Sequence, residues 1–229
     1  MGLKITWYGQ SAFGLEAEGK SVLIDPFLQN PVLQTDPASV TPGTILLTHA
    51  HNDHVGSTVE IAKRAGSTVI ATFELANFIG SQGVENVIGG NHGGTVAFDG
   101  GTAKFTPAWH TSSYSHEGKV VAPGVPAGFV VRFGGKTMYF AGDTALFMDM
   151  QLIADEELDL AVIPIGDLFT MGPKDAVKAA TFLRAGTVIP CHYNTFPAIA
   201  QDANAFKADV ENETASKVIV LQPGESTEL

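Results

Sequence analysis

Apolar and polar positions along this 229-residue chain switch between a period of two and a period near 3.6, and the switches outline its elements. Three short alternating runs open it: Leu3–Tyr8, Ala12–Ala17 and Ser21–Asp25, with a turn at Gly19. They predict antiparallel hairpins. Leu28 to Gly43 is punctuated by prolines and reads as a loop, a candidate wall for a cleft. Thr44-Ile45-Leu46-Leu47 then has the length and β-branching of a buried strand, extending to Thr48. Val55 to Ala65 reads as a helix that stops near Gly66. Thr68–Ala71 predicts a strand and Glu74–Ser81 a helix. A second set of hairpins follows at Thr95–Phe98, Thr102–Thr106, Gly128–Phe133 and Lys136–Ala141. Helices at Leu146–Ile153, Lys174–Leu183 and Ile199–Glu211 alternate with strands at Leu160–Pro164, Thr187–Pro190 and Lys217–Leu221. Two halves, each of hairpins followed by βα units, imply two mixed sheets packed face to face with helices on both outer faces.

Composition adds bounds. Hydrophobic residues make up 45% and charged residues 16%, without a linker-like stretch, so the chain is expected to form one substantial domain over residues 1–229. A single cysteine permits no intrachain disulfide, which agrees with a reducing compartment; a cytoplasmic location is expected. No run of about eighteen apolar residues is present, so no spanning helix is expected, and without a basic region followed by an apolar stretch at the start no secretory signal is expected. The start matches an N-myristoylation pattern and Asn212-Glu213-Thr214 a glycosylation sequon, but the first coincides with the opening strand and the second has no meaning in the cytoplasm. A net charge of −11 lacks the basic footprint of a nucleic-acid binder. Oligomeric state is not legible.

The chemistry sits in Thr48-His49-Ala50-His51-Asn52-Asp53-His54, the pattern H-x-H-x-D-H. It lies on a tight strand-to-helix turn, which can aim several side chains at one point as an extended strand cannot. Imidazole nitrogen with carboxylate oxygen suits zinc and neighbouring first-row metals. Three more ligand types stand where strand-like runs end: His110, Asp143 and His192. A lone His is more often packed or hydrogen-bonded than metal-bound, and Asp143 could simply cap a following helix, with Thr144 able to share that task. Asp53 has the same capping alternative. Cys191 beside His192 invites a Cys–His nucleophile, but adjacent strand residues point to opposite faces, so Cys191 reads as a small buried residue. His92 in Gly89-Gly90-Asn91-His92-Gly93-Gly94 reads as an exposed turn residue, and His116 as part of a polar loop.

The order H-x-H-x-D-H, lone His, lone Asp, lone His resembles the metallo-β-lactamase superfamily. Phe140-Ala141-Gly142-Asp143-Thr144, Ile165 to Pro173 and His192 to Pro197 bring it close to a branch of metal-dependent hydrolases related to L-ascorbate-6-phosphate lactonases. The resemblance runs from about Leu3 to the C-terminus. It implies a four-layer αββα sandwich of the α/β (α+β) class. It assigns His49, His51 and His110 to a first metal, Asp53, His54 and His192 to a second, and Asp143 to both as a bridge. Asn52 departs from the small residue expected there and sets a polar side chain beside the metals.

Two divalent ions, zinc by default with manganese, iron or nickel also compatible, can share a hydroxide and clamp attacking and leaving oxygens. Asp53, Asp143 and His192 are therefore the expected catalytic residues as well as ligands. The expected reaction is hydrolysis of a small ester, lactone or phosphorylated metabolite. A phosphodiesterase or nuclease of the same superfamily is the alternative, disfavoured by charge; a redox module would need more carboxylates, and a structural zinc site would be closed by four ligands. For substrate contact, Asn52, Ser112, His116 and Asn194 are candidates, with Asp167, Thr170 and Thr195 on loops that could line the cleft or merely cap turns.

Overall fold

The computed structural model describes residues 2–116 and 118–229, with the side chain of His116 outside the described residues. Two seven-stranded sheets form it. The first runs, edge to edge, Ser226–Glu228, Lys4–Trp7, Phe13–Ala17, Lys20–Ile24, Thr44–Leu46, Thr68–Thr72, Val87–Gly90. The second runs Lys217–Val218, Thr187–Cys191, Leu160–Pro164, Lys136–Phe140, Ala127–Phe133, Gly101–Pro107, Thr95–Phe98. Both are mixed. Each holds an antiparallel meander that passes into parallel strands, where longer crossovers, a loop after Lys20–Ile24 and helical segments elsewhere, replace hairpins.

Between the sheets, Phe13, Leu15, Phe105, Phe129 and Met138 are fully buried in one continuous core. Each contributes on the order of 1.5–3 kcal/mol through burial. The outer face of the first sheet packs Ile45, Leu47 and Val69 against Ile61, Leu75 and Ile79 of the helices Thr58–Ala65 and Phe73–Ser81. Helices Pro173–Leu183 and Ala203–Glu213 contribute buried residues on the side of the second sheet, among them Val177, Ala180 and Phe206. The molecule is thus the expected four-layer αββα sandwich.

Several boundaries differ from the sequence reading, each for a local reason. The helix expected over Val55–Ala65 is two pieces, Asn52–Val55 and Thr58–Ala65, broken at Gly56. There φ is 44° and ψ −123°, and a Cβ would stand 2.3 Å from the Pro26 carbonyl oxygen, so only glycine fits. The helix expected from Leu146 is reduced to Met150–Ile153. Upstream, the backbone is engaged elsewhere: Ala145 N–H donates to Trp109 O, and Thr144 O accepts from Met171 N–H. Thr144 therefore ties loops together and caps no helix. The last helix begins at Ala203, where the Asp202 carboxylate accepts from the N–H groups of Asn204 and Ala205; Pro197–Ile199 is a separate 3-10 turn. The strand expected over Lys217–Leu221 is only Lys217–Val218. Unforeseen pieces are the strand Val87–Gly90, the edge strand Ser226–Glu228, and small ribbons at Gln29–Asn30 with Leu33–Gln34 and Tyr114–His116 with Lys119–Val121.

Among the described residues no helix is long and apolar enough to cross a membrane.

Gly56→Ala is expected to lower stability by about 2 kcal/mol or more, a drop of roughly 4–8 °C in melting temperature, because side chain and backbone both clash with the fold. Thermal denaturation of the variant checks this; an unchanged midpoint would mean the break at Gly56 is not required.

Candidate metal centre

Strand direction decides where the loops meet. Lys4–Trp7, Lys20–Ile24 and Thr44–Leu46 point the same way, the first through two antiparallel pairings and the last through a parallel one. Gly101–Pro107, Lys136–Phe140, Leu160–Pro164 and Thr187–Cys191 likewise share one direction in the second sheet. The two edges join: His192 N–H donates to Gln10 O at 3.0 Å, and Ala127 N–H to Thr48 O at 2.9 Å. The segments after these strands therefore converge on one rim. They carry Gln10, Asp25, His49 to His54, His110, Asp143 and His192.

Two groups of possible ligands result: His49, His51, His110 and Asp143, and beside them Asp53, His54 and His192. All seven residues expected from the sequence are thus brought together. In the first group, His51 Nδ1 lies 2.9 Å from His49 Nε2 and 3.3 Å from His110 Nε2. Asp143 Oδ2 stands at the centre, 3.0 Å from His192 Nε2, 3.3 Å from His54 Nε2, 3.6 Å from His110 Nε2 and 3.9 Å from His49 Nε2. Asp53 Oδ2 lies 3.8 Å from the Nε2 atoms of both His54 and His192. His49, His54, Asp143 and His192 are buried, while His51, Asp53 and His110 face the opening.

Burial and charge pull the imidazoles apart. Burial, reinforced by His54, holds His49 well below its ordinary 6.5, and burial also lowers His51 and His110. At His54 burial is outweighed by the carboxylates of Asp143, Asp25 and Asp53, and the group sits well above 6.5. His192 is raised in the same way, chiefly by Asp143. Burial would raise Asp143, but His192 and His54 prevail and hold it well below the ordinary carboxylate value.

The donor set fits divalent metal. Buried His54 Nε2 and Asp143 Oδ1 have no hydrogen-bond partner among the described residues, and such buried groups are costly unless something binds them. Mixed imidazole and carboxylate donors are what zinc and its neighbours accept. The other ring nitrogens are also arranged for ligation. His54 Nδ1–H donates to Asp25 Oδ2 at 2.7 Å, since a carboxylate can only accept, and this leaves Nε2 its lone pair. Thr48 donates its hydroxyl to Asp25 Oδ2 at 2.6 Å and its N–H to Asp25 Oδ1 at 2.9 Å, and the same hydroxyl oxygen lies 3.0 Å from His49 Nδ1. Gln10 Nε2 donates to Asp53 Oδ2 at 2.8 Å.

Asp25, Thr48 and Gln10 were absent from the candidates read in the sequence. Asp25 met the criterion that found the others, an acidic residue closing a predicted strand; Gln10 carried no signal. Among the substrate candidates, Asn52 lines the cleft, but its amide is spent on Ser115, accepting from its N–H at 3.0 Å and donating to its carbonyl at 3.2 Å. Ser112 is buried and accepts from Ala50 N–H at 3.1 Å. Asn194 bonds the backbone of Gln201 with both ends of its amide and does not line the cleft, nor do Asp167, Thr170 and Thr195. The candidate His116 contact lies outside the described residues. His92 is exposed and away from the cluster, with Nε2 2.8 Å from Pro126 O. Cys191 is buried, and burial pushes its thiol well up, as an inert residue requires. The Leu28 to Gly43 loop is not a wall of the cleft; Phe27, just before it, is.

Comparison with known proteins shows the family. The Beta-lactamase superfamily domain model matches residues 4–192. A UPF0173 metal-dependent hydrolase of Geobacillus thermodenitrificans is 50% identical over 230 residues, covering 99% of this chain and 100% of that protein. One of Methanopyrus kandleri is 46% identical over 229 residues with the same coverage. Among solved structures, Igni18, a metallo hydrolase from the hyperthermophilic archaeon Ignicoccus hospitalis, superposes with a TM-score of 0.90 at 36% identity, covering 100% of this chain and 99% of that one. With its sandwich fold and its His/Asp cluster at the joined sheet edges, the chain belongs to the metallo-β-lactamase superfamily of metal-dependent hydrolases.

Proposed function

We propose that the chain is a dinuclear hydrolase acting on a small ester, lactone or phosphorylated metabolite. His49, His51 and His110 hold one divalent ion, Asp53, His54 and His192 the other, and Asp143 both; zinc is the default, with manganese, iron or nickel compatible. The observation that carries the reading is Asp143 Oδ2 within 3.0–3.9 Å of imidazoles from both groups. Bound there, the two ions would polarise the scissile oxygen and bring the pKa of water near neutrality. The chain itself fixes the ligands. Asp25 and Thr48 set the His54 and His49 tautomers, Gln10 orients Asp53, and Asp143 is buried where the cluster meets the cavity. The openness of the cleft at His51, Asp53 and His110 favours a catalytic over a structural site. The net charge of −11 disfavours the nuclease alternative, and the cluster's carboxylates, Asp53 and Asp143, are fewer than a redox di-metal centre would use.

Elemental analysis after reloading should find two metal equivalents per chain. Asp143→Asn should cut kcat by about 10²-fold or more with the fold retained by circular dichroism; a variant that keeps most wild-type turnover would remove Asp143 from its bridging role.

Asp25→Asn should weaken binding at the Asp53–His54–His192 group by about 10–100-fold, since the His54 tautomer loses its carboxylate partner. Competitive chelator titration reads this as one weakened equivalent beside one unaltered. Two unaltered equivalents would show that Asp25 serves the fold alone.

The pH dependence has a definite sign. His54 and His192 are raised above 6.5 in the metal-free protein. Their protonated pairing with Asp143 stabilises that state fully below 6.5 and is lost as pH rises through the raised values. Metal needs the deprotonated rings. The gain in melting temperature on metal loading should therefore grow as pH rises past neutrality, and loading should release protons. A gain that stays constant with pH would contradict the ligand assignment.

A further inference from the structure

The seven-residue cluster opens into a cavity of about 730 Å³, a size suited to one small-molecule substrate. Beyond the cluster, much of its wall is apolar, formed by Phe27, Leu168, Phe169 and Phe196. Three of these are unusually open to water for their type, Leu168 at 67%, Phe169 at 56% and Phe196 at 37%. Grouped apolar exposure of this kind marks a binding surface. The strands explain the grouping: Phe27 follows Lys20–Ile24, Leu168 and Phe169 follow Leu160–Pro164, and Phe196 follows Thr187–Cys191, so all are delivered to the rim that carries the ligands. The loop that carries Leu168 and Phe169 is also held out at a conformational cost. Asp167 and Leu168 have φ of 61° and 39°, a region side chains disfavour, and the preceding Gly166 has no room for a Cβ, which would stand 2.2 Å from His192 O.

The remaining polar side chains of the wall are neutral and make bonds within the protein, with the buried Gln10 Oε1 left unpartnered among the described residues. Gln10 donates to Asp53, Asn52 is bonded to Ser115, and the Thr111 hydroxyl lies 3.4 Å from His51 Nε2. Among the described residues lining the cavity there is no Lys or Arg. The metals would serve the reacting group, but nothing on the wall would neutralise a second anionic group remote from them.

We propose that the substrate is an uncharged ester or lactone with an apolar acyl or alkoxy part, seated on Phe27, Leu168, Phe169 and Phe196, rather than a phosphorylated or carboxylated metabolite. The inference rests on the hydrolase reading above. In the reaction the acyl C–O bond to the alkoxy oxygen breaks, a C–O bond to the water oxygen forms, and the water proton passes to the alkoxide. The products are an acid and an alcohol, with no change of oxidation state.

The test uses the full-length, metal-loaded protein and p-nitrophenyl acetate, butyrate and hexanoate, with chain-matched esters ending in carboxylate or phosphate. On this proposal kcat/KM rises along the neutral series, by up to about fourfold for each methylene fully buried, chiefly through KM, and the anionic ends abolish the rise. Phe169→Ala and Phe196→Ala flatten the slope, whereas Leu152→Ala, an exposed apolar residue off the cavity, leaves it unaltered. A flat or falling slope, or preference for an anionic end, overturns the proposal. If the fully loaded protein turns over none of these esters, the ester-hydrolase part of the reading fails by itself, and binding of neutral alkyl methyl ketones then decides the pocket. Affinity rising with chain length and lost in the two Phe variants supports it; affinity independent of length, or unaltered in those variants, overturns it.

Discussion

A buried carboxylate surrounded by imidazoles is the constraint on which the rest of the structure depends. Asp143 is 3% exposed, and a charge so placed is costly unless its oxygens are matched. The partners lie on three loops besides its own: His49 and His54 on one, His110 on the second, His192 on the third. None can move far without leaving that carboxylate uncompensated. The two sheets must therefore meet with these edges in register, and the backbone bonds His192 N–H to Gln10 O and Ala127 N–H to Thr48 O hold them so.

Strain follows the same map. Gln10, Asp25, His192 and Asn194 all have φ between 51° and 58° except Asp25 at 43°, and each stands in a segment that follows a strand leading to the cluster. Left-handed backbone at a residue with a Cβ costs roughly 1 kcal/mol or more, and it persists where surrounding bonds over-determine it. At Asp25 those bonds are Thr48 N–H, the Thr48 hydroxyl and His54 Nδ1–H. At His192 the aromatic packing of the next residue helps, with Tyr193 stacked on Trp7 at 5.4 Å. Trp7 in turn donates its indole N–H to Gln10 O. A single chain of contacts thus links the inter-sheet core to the orientation of Gln10 and, through it, Asp53.

Asn52, the one departure from the motif's usual small residue, acquires a structural task. Its amide bonds both backbone groups of Ser115 and so fastens the ribbon Tyr114–His116 with Lys119–Val121 beside the opening. The polar side chain that looked available for substrate is consumed by the protein, which leaves apolar side chains to form the rest of the wall.

By itself the sequence determined which His and Asp residues cluster, and the layered architecture. His49, His51, Asp53, His54, His110, Asp143 and His192 were legible because each closes a strand-like run or sits in one dense motif, and strand ends are where such scaffolds present chemistry. The two-sheet arrangement was legible because hydrophobic period is local information. What only the tertiary structure decided is everything set by contacts distant in sequence. Asp25 and Gln10 became part of the centre through partners 29 and 43 residues away. The short helix at Met150–Ile153 and the break at Gly56 were set by neighbours claiming backbone groups or space. Leu168, Phe169 and Phe196 looked like ordinary apolar residues until strand direction brought them onto one rim. Periodicity records which face of an element is apolar, but not which other element, if any, will cover it.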